Sequence, residues 1–145
     1  MSLQARVRNA DFLSRRMSAA QAAQLIEHGA TLGLSGFTRA GYPKALPQAI
    51  AERARAEHAA GRPFQVNVWT GASTAPEVDG ALAQAGAMAQ RLPFNSDAST
   101  RQQINAGTID FIDMHLSHVA QHAWFGFLGK LDVAIVEVAG ITPDG

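Results

Sequence analysis

Cysteine is absent from the 145-residue sequence. Disulfides, thiol nucleophiles and thiolate-bound metals are thereby excluded, and the absence agrees with a reducing compartment. Net charge is missing too: Lys and Arg together number 12, Asp and Glu 12, and charged residues make up only 17% of the chain. No bulk field draws such a protein to nucleic acid or an anionic membrane, so any anion must be held locally. No apolar run approaches the roughly 20 residues that a membrane helix requires. The N-terminal "MSLQARVRNADFLSRRM" sets Arg6, Arg8, Arg15 and Arg16 against Asp11 and lacks the apolar centre of a secretory signal. It reads as a solvated arm, on a protein expected to be soluble and cytoplasmic, with neither nucleic acid nor membrane as partner.

What is present suffices for a core. Apolar residues make up 47% of the chain, and at this length about two thirds of the unfolded surface can be buried in one domain. Ser18 with Gln21 three residues later predicts a capping box opening a helix, with Gly29 placed to end it. Residues 31–36, "TLGLSG", read as a short buried strand. Residues 44–61, rich in Ala, Glu and Arg with Pro47 in the first turn, read as a helix ending on Gly61. The alternation of "FQVNVWT" predicts a strand over 64–70, followed by a short helix begun at Pro76.

A third strand is expected over Met88–Leu92, a third helix in "DASTRQQINAG" and a fourth in "HLSHVAQHAWFG". "LDVAIVEV" at 131–138 is the clearest strand pattern. Strands alternating with helices through short connections imply an α/β fold: a mostly parallel sheet flanked by helices. Because a central parallel strand still needs its crossover and next neighbour, a chain stopping at "AGITPDG" is expected to be an incomplete domain. Trp69 and Trp124 are both expected in packing.

In an open parallel sheet, ligands bind beyond the carboxyl ends of the strands, where helix N-termini present unpaired N–H groups. Three junctions of that kind are polar: Ser35 to Lys44, "TGASTAP" and "PFNSDAST". Their hydroxyls, amides and backbone N–H groups suit carboxylate or phosphate oxygens. The first is neither a P-loop, since Gly36 and Gly41 are followed by Tyr42 and Pro43, nor G-x-G-x-x-G. Taken alone, each glycine reads as a tight turn. The hydroxyls either cap the following helices or bind a ligand oxygen, and one hydroxyl can do both. His115, His118 and His122 share a face of a predicted helix, but no carboxylate cluster completes a metal set. Glu137 reads either as a catalytic carboxylate or, preferably, as a paired or solvated strand-end residue.

The spacing G-F-x3-G-x-P, formed by Gly36, Phe37, Gly41 and Pro43 after an apolar strand, resembles the signature of the class I coenzyme A transferases. With "GFTRAGYPKALP", "TGASTAPEVDG", "LPFNSDAST" and "INAG" in that order, residues 6–145 most resemble the branch containing acetyl-CoA hydrolase/transferase and succinyl-CoA:acetate CoA-transferase. Ser35 departs from the pattern, standing where the broader class has a second glycine, so the turn approaches its ligand less closely.

The resemblance implies an enzyme of two similar α/β halves with the site between them. In such an enzyme a glutamate carboxylate attacks an acyl-CoA thioester, and a mixed anhydride and then a glutamyl-CoA thioester follow. That glutamate belongs to the second half. Residues 1–145 are thus expected to be an N-terminal CoA-transferase-like domain with no catalytic residue, inactive alone. Its expected contribution is the wall of the acyl or carboxylate pocket: Gly36, Phe37, Thr38, Gly41 and Tyr42; Gly71, Ala72, Ser73 and Thr74; and Phe94, Asn95, Ser96 and Asp97. Ser73 and Ser96 are the foremost candidates as donors to the substrate.

Arg39 and Lys44 either add positive charge there or are simply solvated. The resemblance further implies coenzyme A as substrate rather than cofactor, no metal, and small carboxylates such as acetate or succinate as partners. The C-terminal half of the same enzyme and homo-oligomeric assembly when complete are implied as well. Acetyl-CoA hydrolysis is the alternative within the enzyme class. A non-catalytic acyl-CoA or anion-binding domain is the alternative outside it.

Overall fold

A computed structural model describes residues 2–72 and 75–145. Its frame is one five-stranded sheet of order β4-β3-β2-β1-β5, built from β1 (Thr31–Leu34), β2 (Val66–Thr70), β3 (Met88–Leu92), β4 (Asp110–Phe111) and β5 (Val133–Ile135). Every neighbouring pair is parallel, with Leu32 opposite Val68 on one side and Val133 on the other. The α/β architecture read from the sequence is therefore present, and its polar junctions fall at one end of the sheet.

Three short helices or turns precede the first crossover: α1 (Leu3–Arg6), α2 (Ala10–Ser14) and α3 (Ala19–Gln24). The capping box at α3 forms as its sequence predicts: the Ser18 hydroxyl accepts from Gln21 N–H, and the Gln21 side chain accepts from Ser18 N–H. Helix α3 is shorter than its pattern, however. It ends at Gln24, and Gly29, with φ of 82°, turns the chain into β1 rather than closing the helix. In α4 (Ala45–Ala59) the buried residues Pro47, Ile50, Ala51 and Ala54 recur at helical spacing. Arg53 on α4 donates through Nη1 to the carbonyls of Ala23 and Ile26, 2.6 Å from each. This ties α4 to the carbonyls at and just beyond the end of α3.

Beyond β2, Pro76–Gly80 forms a π-helical turn that runs into α5 (Ala81–Gln84). Helix α6 (Ala98–Asn105) follows β3, and α7 (Leu116–Trp124) follows β4. Helices α3 to α5 and the strand residues Leu32, Val66, Val68 and Met88 form a closed core, these four side chains being almost completely buried. The opposite face, bearing Gly33 and Trp69, lies against α7 and Leu131 across a hollow lined by Leu116, Val119 and Ala123. A Cβ on Gly33 would stand 3.0 Å from Leu131 Cδ1, so glycine permits that approach.

Several expectations are corrected. Only three residues of the 131–138 pattern, Val133–Ile135, pair as β5; beyond them Glu137 N–H donates to the Ser35 hydroxyl instead of to a backbone carbonyl. Val136 and Val138 consequently project into solvent, and Glu137 lies beyond the strand. Trp124 is 87% exposed, whereas Trp69 is buried. Helix α4 is shorter than the expected 44–61, with Lys44 its N-cap and Ala59 its last residue. The N-terminal arm is exposed but not free: Arg8 N–H donates to the Ile141 carbonyl at 3.0 Å, and Ile141 N–H to the Arg6 carbonyl at 2.8 Å. Among the described residues, no helix is long and apolar enough to cross a membrane.

Candidate functional site

The loop after β1 is shaped by three residues with positive φ: Gly36 at 121°, Thr38 at 52° and Gly41 at 66°. Glycine adopts such angles without steric cost, and Thr38 does not. Phe37 and Ala40 close a tight turn through reciprocal backbone hydrogen bonds of 2.9 and 3.1 Å. Ser35 fastens its base, its hydroxyl donating to the Gly41 carbonyl at 2.8 Å and accepting from Glu137 N–H at 2.9 Å. Lys44 Nζ reaches Glu137 Oε2 at 2.5 Å and the Tyr42 carbonyl at 3.0 Å, and lies over the Tyr42 ring. Glu137 is thus a paired residue beside the loop. Ser35 is the loop's anchor.

Thr38 N–H crosses to the Ala72 carbonyl at 3.0 Å and joins the loops after β1 and β2. Where the loop after β3 meets them, a cleft of ≈ 330 Å³ opens beyond the carboxyl ends of the three strands. Thr38 and Arg39 line it from the first loop, and Ala72, Ala75 and Pro76 from the second. Phe94, Ser96, Asp97 and Ala98 complete it from the third. Arg39 takes part in none of the ion pairs formed among the described residues. An exposed guanidinium beside hydroxyls and an apolar floor can receive an anionic head on an apolar body.

Asp97 is the N-cap of α6: its Oδ1 accepts from Thr100 N–H at 2.9 Å and lies 3.1 Å from the Thr100 hydroxyl. Sequence reasoning had Ser96 as the capping alternative; the neighbouring carboxylate takes that place, because its oxygen reaches the third helical N–H. Asn95 spends its amide on the loop itself, accepting from Asp97 N–H and donating to the Asp97 carbonyl.

Of the residues expected to form the wall, the structure brings Thr38, Ala72, Phe94, Ser96 and Asp97 to the cleft. Gly36, Phe37 and Gly41 shape the adjoining turn, Gly71 sits behind it near Leu116, and Tyr42 is buried in the core. Ser73 and Thr74 lie outside the described residues. The sequence reading left out Ala75, Pro76 and Ala98, whose small or apolar side chains carry no chemical signal of their own. Arg39 it noted only as a possible source of charge.

A more telling omission is the buried pair below the cleft. Arg91 and Asp79 are both fully buried, with Arg91 Nε donating to Asp79 Oδ1 at 2.8 Å. Burial pushes the Asp79 carboxyl above its ordinary range, and the Arg91 guanidinium opposes that rise. An arginine inside an expected strand was the available hint, since a buried charge demands a partner. Elsewhere, the ring centroids of His115, His118 and His122 succeed one another at 5.5 and 5.9 Å along α7. Among the described residues, no group of three His, Asp or Glu side chains is placed to hold a metal ion.

The acetyl-CoA hydrolase/transferase N-terminal domain model matches residues 1–145. A propanoyl-CoA:succinate CoA transferase of Escherichia coli is 45% identical over 130 residues, covering 90% of this chain and 26% of the relative. A succinyl-CoA:acetate CoA-transferase of Clostridium kluyveri is 39% identical over 97% of this chain and 26% of its own length. An acetyl-CoA hydrolase of Saccharomyces cerevisiae is 33% identical over 99% of this chain and 28% of its own length. The chain therefore spans about a quarter of the length of these relatives. Among solved structures, RipA from Yersinia pestis shares the fold with a TM-score of 0.58 at 19% identity, over 83% of this chain and 28% of that one. Sequence and fold converge, and the chain belongs to the acetyl-CoA hydrolase/transferase N-terminal domain family.

Proposed function

We propose that this chain is the N-terminal part of an acyl-CoA:carboxylate CoA-transferase of the succinyl-CoA:acetate kind, and that its cleft forms one wall of the acyl and carboxylate pocket. The observation that carries the reading is the cleft itself, where Arg39 and the hydroxyl-bearing residues Thr38 and Ser96 surround an apolar floor. A carboxylate would pair with the guanidinium, while its short alkyl body lay against Ala72, Ala75 and Phe94.

The nucleophile in this scheme is a glutamate outside residues 1–145. Its carboxylate attacks the thioester carbonyl and expels the CoA thiolate, leaving an acyl-glutamyl anhydride. The thiolate then attacks the glutamyl carbonyl, so the donor leaves as a free carboxylate and a glutamyl-CoA thioester remains. An acceptor carboxylate runs the same two steps backwards and departs as the new acyl-CoA. Each step exchanges one acyl bond for another, with N–H donors stabilising the transient oxyanions. Hydrolysis, the activity named for the yeast relative, differs only in that water opens the thioester.

The test is intact-mass spectrometry and acyl-CoA analysis of the full gene product carrying this segment, incubated with succinyl-CoA and acetate. A CoA adduct on one glutamate, with acetyl-CoA produced only when acetate is present, is the expected result. Acetate-independent loss of thioester would assign hydrolysis instead. Tight CoA binding without adduct or turnover would overturn the enzymatic reading in favour of a binding domain. The 145-residue chain alone is expected to form no adduct, and an adduct on Glu137 would overturn the placement of the nucleophile.

A further inference from the structure

The buried pair beneath the cleft has no role in the chemistry above, yet its hydrogen bonds reach two of the cleft's walls. Arg91 forks onto Asp79, Nε to Oδ1 at 2.8 Å and Nη2 to Oδ2 at 3.4 Å, and Nη1 donates to the carbonyl of Leu92, where the loop after β3 begins. The Asp79 N–H also donates to the carbonyl of Ala75, a residue of the wall after β2, at 2.9 Å. The Thr100 hydroxyl, completely buried, lies 3.2 Å from the Asp79 carbonyl and 3.1 Å from the Asp97 carboxylate in the wall after β3. A Cβ on Gly80 would stand 3.2 Å from Asp97 Oδ2, so the bare glycine lets these segments approach.

Stability alone does not favour two charges at such a place. A buried ion pair is commonly matched or bettered by apolar side chains of equal volume. What apolar packing cannot supply is direction, whereas a planar guanidinium binding a carboxylate and a carbonyl fixes distance and angle together.

We propose that Asp79 and Arg91 are positioning residues whose forked pair clamps the loop after β2 to the loop after β3 and sets the width of the cleft. The clamp rests on the proposed function only for the identity of the ligand it serves.

The experiment uses the full gene product with two variants. Arg91→Lys keeps the charge and loses the fork; Asp79→Leu with Arg91→Met replaces the pair by apolar volume. The double variant is expected to unfold at the wild-type temperature or above while KM for the carboxylate acceptor rises roughly tenfold or more, with a smaller change in kcat. Arg91→Lys is expected to fall between the double variant and wild type. A folded variant with wild-type KM would overturn the clamp, and Arg91→Lys decides the matter if the double variant does not fold. Should the wild-type protein show no CoA transfer, the functional reading fails separately. Amide hydrogen exchange then decides: faster exchange in Arg91→Lys confined to Ala75, Asp97 and Thr100 supports the clamp. No acceleration, or equal acceleration in β1, overturns it.

Discussion

Asp132 and Asp79 show how the same side chain acquires opposite acid–base behaviour from its surroundings. Asp132 accepts from Lys130 Nζ at 2.7 Å and from Thr31 N–H at 3.0 Å, and these donors hold its carboxyl below the ordinary value of 3.8. A depressed native value means that the contribution to stability is complete above the unfolded value and is lost as pH falls through the lower native one. Lys130→Ala is expected to move the Asp132 midpoint up toward 3.8 in a carboxyl-detected NMR titration. An unmoved midpoint would assign the depression to Thr31 N–H alone. Asp79 has the reverse sign: burial raises its carboxyl, so its contribution is complete below the unfolded value and diminishes as pH rises through the native one. At this scale the sequence disclosed the turn glycines Gly36 and Gly41, because no other residue takes a positive φ so cheaply. It could not disclose Thr38 at 52°, which is held by the loops around it rather than by its own preference.

Elements were most legible where a local device defines them. The capping box at α3 is one, and Ser18→Ala is expected to cost about 1 kcal/mol, read as a shift in the urea midpoint. A cost near zero would mean that the Gln21 side chain alone suffices. Helix α4 was legible from its Ala, Glu and Arg content between Pro47 and Gly61, and β3 was found with its bounds intact. Strand β5 was overread because an apolar pattern records hydrophobicity, whereas the ladder ends where the Ser35 hydroxyl takes the N–H of Glu137. Pro76 marked the start of a helical segment, though not that its first turn is π-helical, and the two-residue β4 left no pattern long enough to show a period. The cleft was legible to a corresponding degree. Its loops could be located because each follows a strand, but the side chain that enters the cleft from each loop depends on backbone turns that the spacing does not encode.

The whole molecule is unequal on its two sides. One face of the sheet is sealed by α3 to α5; the other carries α7 and an exposed aromatic group of Trp124, Phe125 and Phe127. Trp69 is buried with its indole N–H directed to Gln90 Oε1 at 3.3 Å, so the two indoles occupy opposite environments. In the 145-residue chain, acrylamide is expected to quench one tryptophan component readily and spare the other, and Trp124→Phe should remove the accessible component. Two equally shielded indoles would show that the aromatic group is covered by association of chains.

The pairing of the N-terminal arm with Ile141 has a consequence in time. Asn9 Nδ2 donates to the Pro143 carbonyl across a separation of 134 residues. Closing a loop of that span costs about 4 kcal/mol in chain entropy, against only a few hydrogen bonds gained at its ends. During synthesis residues 2–9 emerge before Ile141 and Pro143, and β1 to β5 are all translated between them. Residues 2–9 are therefore expected to dock only once the segment after β5 has been made, as a late contact rather than a nucleus.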